Sequence, residues 1–91
     1  MNIEEGAAAI AVSGDVDLSS AYELSQLEKR LFGKETIVFD VGALSHVDST
    51  FLRFLVELQA HRHTPVKLVG VQPRLRRILE ITGLSRAFVL A

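Results

Sequence analysis

No cysteine occurs in the chain, which excludes disulfides, thiolate metal sites and a cysteine nucleophile. Only two prolines and six glycines are present, too few for a low-complexity segment or a linker. No apolar run approaches the roughly 18 residues that span a bilayer, so direct membrane insertion is not expected. The start, Met1-Asn2-Ile3-Glu4-Glu5, is acidic and lacks the basic opening and apolar stretch of a signal peptide, so a cytoplasmic protein is expected. A large charge of one sign is missing too. The net charge is −1, which argues against nucleic acid as the partner. Neither G-x-G-x-x-G nor G-x-x-x-x-G-K-[ST] appears, and no G-x-S-x-G nucleophile turn appears.

What is present is an ordinary globular composition, 48% hydrophobic and 23% charged over 91 residues. That length fits one small domain, residues 1–91, which buries only about 60–65% of its unfolded surface. The charge is unevenly placed. Residues 1–40 hold eight acids against three bases, and residues 41–91 hold three acids against seven bases. Such a split either orients a partner or marks two solvated faces of opposite bias.

Apolar patterning alternates between strand and helix. Residues 2–5 read as an edge strand. Residues 8–13 read as a buried strand that Gly14 ends. Ser19 or Ser20 caps a helix carrying Leu24, Leu27 and Leu31 at helical spacing, and Gly33 stops it. Ile37-Val38-Phe39-Asp40-Val41 is the clearest strand, β-branched and nearly continuously apolar. Residues 42–47 read as a loop. Asp48-Ser49-Thr50 opens an apolar helix to about Arg62, which Thr64-Pro65 ends. Residues 66–71 form another strand, and Pro73 begins a third helix with Leu75, Ile78, Leu79 and Thr82 on one face. Residues 87–90 close the chain as a short strand. The order β-β-α-β-α-β-α-β implies an α/β fold with right-handed crossovers and a mostly parallel sheet, its first strand joining antiparallel.

Asp48-Ser49-Thr50 is the most informative cluster. Asp48 suits an N-cap, which places Ser49 and Thr50 at the first two helical positions among unpaired N–H groups and positive dipole. A phosphoryl group there meets backbone donors; the same geometry equally serves plain capping with solvated hydroxyls. Asp15 and Asp17 lie at a strand–helix junction that an open α/β sheet gathers at the same end, either as an acidic rim or as turn formers. His61 and His63, two apart on a helix, point away from each other and suit a helix C-terminus better than a metal. Arg74, Arg76 and Arg77 open the third helix, where each cation costs about 0.3–1 kcal/mol against the dipole. They read as a solvated face or as a contact for an acidic partner.

Three segments together resemble the STAS domain family, best known as anti-sigma factor antagonists. Gly14-Asp15-Val16-Asp17-Leu18 resembles the family's G-[DE]-[LIV]-D-x segment. Ile37–Val41 followed by Val47-Asp48-Ser49-Thr50-Phe51-Leu52 resembles its strand and D-S-[ST]-G-L motif. Leu68-Val69-Gly70-Val71 followed by Arg77-Ile78-Leu79-Glu80-Ile81-Thr82-Gly83-Leu84 resembles its last strand and R-x-L-x-x-x-G-L helix. The resemblance spans essentially the whole chain and implies a single STAS domain, a mixed, mostly parallel sheet with helices packed on one side.

It also implies a bacterial binding protein rather than an enzyme, without a cofactor, acting as a monomer or weak dimer. In that family the antagonist binds an anti-sigma factor, a serine kinase of the histidine-kinase-like fold, which phosphorylates and releases it. A PP2C-type phosphatase reverses the mark. The matching phosphoacceptor is Thr50, with Ser49 beside it. The partner-binding surface carries over to Asp15, Asp17, Asp48, Phe51 and Arg53. One departure stands out: the family glycine is Phe51 here. Its ring either packs inward with Phe54, Leu55 and Leu58 or stands at the rim as an apolar anchor. The alternative role is that of an unphosphorylated STAS subunit of another complex, such as the ATPase of a lipid-transport ABC system.

Overall fold

Alternation of buried and solvated side chains along short strands sets the architecture. The computed structural model describes residues 1–91. Its strands are β1 (Asn2–Glu5), β2 (Ile10–Val16), β3 (Val38–Asp40), β4 (Leu44–Val47), β5 (Lys67–Val69) and β6 (Val89–Leu90). Its helices are α1 (Ala21–Leu31), α2 (Ser49–Ala60) and α3 (Pro73–Ile81). Short 3-10 turns lie at Leu18–Ser20 and Leu84–Arg86. The strand order is β1-β2-β3-β5-β6, with β4 paired to β2 off that path. β1 joins antiparallel, and every other pairing is parallel. This is the mixed, mostly parallel sheet expected of the sequence.

Ile10, Val12, Phe39 and Leu68 are buried under the helices, whereas their neighbours Asp40 and Lys67 are exposed. The helices supply Leu24, Leu27 and Leu31 from α1, Phe51, Phe54, Leu55 and Leu58 from α2, and Leu75 and Leu79 from α3. All of these belong to one apolar cluster, so the helices share one side of the sheet and the domain has one core.

Two segments differ from the sequence expectation. Gly14 does not end β2. It takes φ +80°, where a register shift lets the strand continue to Val16. Residues 42–47 are not simply a loop. β2 outruns its other partners, whose pairings stop at Ser13 and Ala11, and Leu44–Val47 pairs with the free residues from Gly14 to Val16. Buried or half-buried backbone groups demand partners, and β4 supplies them. Its ends are tied by Gly14 N–H to Ala43 O at 3.1 Å and Asp48 N–H to Val16 O at 3.3 Å.

Helix ends also shift. Neither Ser19 nor Ser20 makes the expected side-chain cap of α1. Asp17 instead accepts the Ser19 N–H at 2.9 Å and caps the Leu18–Ser20 turn, while Ser20 Oγ accepts the Asp17 N–H at 3.4 Å. α2 stops at Ala60, before Arg62. Gln59 staples the chain that follows, donating to Thr64 O at 3.2 Å and accepting from Val66 N–H at 2.7 Å. No helix is long and apolar enough to cross a membrane.

Candidate functional site

The C-terminal ends of the parallel strands face one end of the domain, and the loops leaving them carry the chemistry-bearing residues. Asp48 has extended backbone, and its Oδ1 accepts the Thr50 N–H at 2.8 Å, capping α2. Ser49 is exposed, and Thr50 is half-buried. Arg53 follows one turn later and is exposed. Thr50 and Arg53 both line a shallow groove of about 120 Å³ between α1 and α2. The Asp48–Val16 backbone bond ties this helix start to the end of β2, so Asp15, Asp17, Asp48, Ser49 and Thr50 share one rim.

Asp15 is exposed, and its register partner is His46 of β4. Asp17 accepts both the hydroxyl and the backbone N–H of Ser19. These two bonds, the hydroxyl foremost, hold its carboxyl below the usual carboxylate range. Slight desolvation opposes them, and the Met1 amino group and His46 add smaller attractions.

Phe51 corrects an expectation. Its ring is fully buried, stacked on Phe54 at 6.2 Å with 26° between planes, and Phe54 in turn meets Phe39 edge-on at 5.8 Å. The first-turn residue after Thr50 must face the sheet because Phe54, Leu55 and Leu58 occupy the same stripe. Phe51 is therefore a core residue and does not present its ring to a partner.

Two features escaped sequence reasoning. Gln72 precedes α3 without capping it; its Nε2 donates to Gly42 O at 2.7 Å and Leu44 O at 3.1 Å. It thereby holds the turn leading into β4 and the site. Gly70 permits this approach: at φ +70°, a Cβ would lie 3.1 Å from the Gly42 main chain. The glutamine–proline pair was the available signal, but its target is distant in sequence. The second feature is a pair of exposed apolar side chains beside the acidic rim, Leu18 (78%) and Tyr22 (74%). Their signal was present. Tyr22 lies in α1 but off the Leu24, Leu27, Leu31 stripe, and Leu18 precedes the helix in the 3-10 turn, so the core stripe claims neither.

A protein-family model described as "Mlab, STAS domain" matches residues 1–91, the entire chain. The chain belongs to the STAS domain family. Solved structures agree. This STAS domain superposes on an anti-sigma factor antagonist from Mycobacterium paratuberculosis with TM-score 0.80 and 25% identity, covering 98% of this chain and 81% of that one. The anti-sigma factor antagonist SpoIIAA in its unphosphorylated form gives TM-score 0.72 at 20% identity, over 99% and 86% of the two chains. A Thermotoga maritima protein described as a putative anti-sigma factor antagonist gives 0.72 at 16%, over 98% and 83%. The last two likenesses establish the fold alone. A comparison with curated proteins finds no match.

Proposed function

We propose that this STAS domain is a cytoplasmic, non-enzymatic binding module of the anti-sigma factor antagonist kind, switched by phosphorylation of Thr50. The observation that carries the reading is the position of Thr50: the second residue of a capped helix, on a rim with Asp15, Asp17 and Asp48. The likeness to the mycobacterial antagonist supports it. The partner is an anti-sigma factor that is also a serine kinase of the histidine-kinase-like fold, and a PP2C-type phosphatase restores the free hydroxyl. Ser49 is the neighbouring acceptor. Leu18 and Tyr22 add apolar contact area to the polar rim. The protein acts as a monomer or weak dimer.

The switch is electrostatic. A phosphate on Thr50 adds about −1.5 to −2 charges beside Asp48. The Ser49 N–H and the positive dipole end of α2, with the Arg53 guanidinium one turn on, offset that charge within the domain, so the fold persists. A partner surface desolvated against the acidic rim does not accept it, and the complex weakens. The Phe51 ring points into the core and so does not stand over the Thr50 hydroxyl from outside.

One observation favours a second reading, a constitutive subunit of another complex such as a lipid-transport ABC ATPase. Thr50 is half-buried in the α1–α2 groove and so suits a packing contact as well as a modified hydroxyl. The two are separated by affinity capture from native lysate with the domain as bait, followed by ATP addition and phosphosite mapping. The switch predicts capture of a histidine-kinase-like partner, phosphate on Thr50, retention of Thr50→Ala in ATP, and poor binding by Thr50→Glu. Capture of a transporter ATPase that holds Thr50→Glu as tightly as wild type sinks the switch and establishes the subunit reading.

A further inference from the structure

All three helices pack on one side of the sheet, so the other face of its strands is left uncovered. Phe39 and Leu68 point into the core. Side chains alternate along a strand, so Val38, Asp40, Lys67 and Val69 point the other way. Asp40 and Lys67 are exposed, and Val38 and Val69 are half-buried. Val89, beside Lys67 in register on β6, is 44% exposed. The result is a small apolar face with one acid and one base at its centre.

The two charges have a definite arrangement. Val38 lies opposite Lys67, and Asp40 lies opposite Val69. Acid and base therefore occupy one diagonal of a four-residue cell, and the two valines occupy the other. Neither charge is paired within the domain, whose one ion pair joins Arg30 to Glu5. Asp40 Oδ1 accepts the Gly42 N–H at 3.0 Å, which leaves Oδ2 without a partner.

That diagonal selects the occupant. An apolar helix or sheet laid over the face would strand both charges against hydrocarbon. A second copy of this chain satisfies both, because an isologous contact uses each residue twice. A two-fold axis in the plane of the interface, running over the Val38–Val69 diagonal, exchanges the other two corners of the cell. Asp40 of each copy then faces Lys67 of the other, and the valines meet across the axis. The strands of the two sheets cross steeply, in the near-orthogonal class of sheet packing, about 10 Å apart. We infer that the uncovered sheet face is a homodimer interface, held by two reciprocal Asp40–Lys67 pairs around a valine centre. Thr50 and the α1–α2 groove lie on the helical side and stay accessible in the dimer, so nothing here depends on the Thr50 switch.

The test is sedimentation equilibrium of the full chain. Wild type should dimerise with a Kd on the order of 0.1 mM, as suits a small interface. Asp40→Lys and Lys67→Glu each turn both pairs into like-charge contacts and should weaken self-association about tenfold or more. An equimolar mixture of the two variants should restore it, because every cross-copy contact then joins opposite charges. Added salt should weaken the wild-type dimer. Thermal melting by circular dichroism checks that each variant folds. Lys67 is exposed and unpaired, so Lys67→Glu keeps the test decisive should Asp40→Lys lose the Gly42 bond and unfold. A wild type that stays monomeric at about 1 mM overturns the inference, whatever other protein the face holds. So does unchanged self-association of folded Lys67→Glu, or a mixture that associates no more tightly than the variants alone.

Discussion

Phe51 offers the sharpest test of how this chain departs from its family. Its ring is fully buried, stacked on Phe54, and through Phe54 joined to Phe39 on the central strand. Truncating such a side chain to alanine removes its transfer free energy and leaves a cavity beneath α2, about 3–5 kcal/mol together. A domain of 91 residues has a total stability of roughly 5–14 kcal/mol, so the loss is a large fraction of the whole. With an unfolding entropy of about 2.1 cal/mol/K per residue, near 0.19 kcal/mol/K for this chain, a loss of about 4 kcal/mol lowers Tm by about 20 °C. Phe51→Gly, which restores the family residue, should cost about 1 kcal/mol more, because glycine weakens a helix relative to alanine. Urea denaturation of wild type and both variants measures this, with the slope checked for two-state behaviour. A ring standing at the rim would cost little on truncation. A loss below about 1 kcal/mol for Phe51→Ala, with an unchanged slope, would refute the core assignment.

Three further outcomes follow from the same geometry. Asp48→Ala should cost about 1 kcal/mol through loss of the Thr50 N–H acceptor, lowering Tm by about 5 °C, while Asp48→Asn keeps most of it; equal melting of Asp48→Ala and wild type would refute the cap. Gly70→Ala should lose about 1–2 kcal/mol for its left-handed backbone and more for the contact with Gly42, so it must melt below Gly33→Ala, whose added Cβ meets nothing. Asp17 titrates lower in the folded state than its unfolded value of 3.8, so its contribution is present above that value and is lost as pH falls through the lower folded one. The stability gap between wild type and Asp17→Asn, followed by urea denaturation, should hold from neutral pH to about pH 5 and shrink below about pH 4. A gap that widens on acidification contradicts the assigned hydrogen bonds.

Local sequence signals carried much of this architecture. The mostly apolar stretch around Val38–Asp40, the alternation in β2 and the leucine spacing of α1 each reflect burial of one face against a single core, and that face recurs with the period of the element. The start of α2 was legible for the same kind of reason: Asp48, Ser49 and Thr50 are consecutive, and a cap bond spans only two residues. Elements whose partners lie far along the chain were not legible. β4 exists because β2 overruns β1 and β3, a fact of relative strand length that no window around Leu44–Val47 contains. The continuation of β2 through Gly14 is another case, since the same residue that ends a strand in isolation makes a bulge when a partner waits beyond it. Phe51 had two consistent readings on sequence, core or rim. Only the placement of α2 over Phe39 decided between them. Gln72, thirty residues from the carbonyl of Gly42 that it holds, and the Asp40–Lys67 diagonal on the open sheet face depend wholly on the packed fold. Periodicity and capping are short-range and survive in the sequence, whereas strand overhang, ring orientation and cross-strand neighbours arise only when distant segments meet.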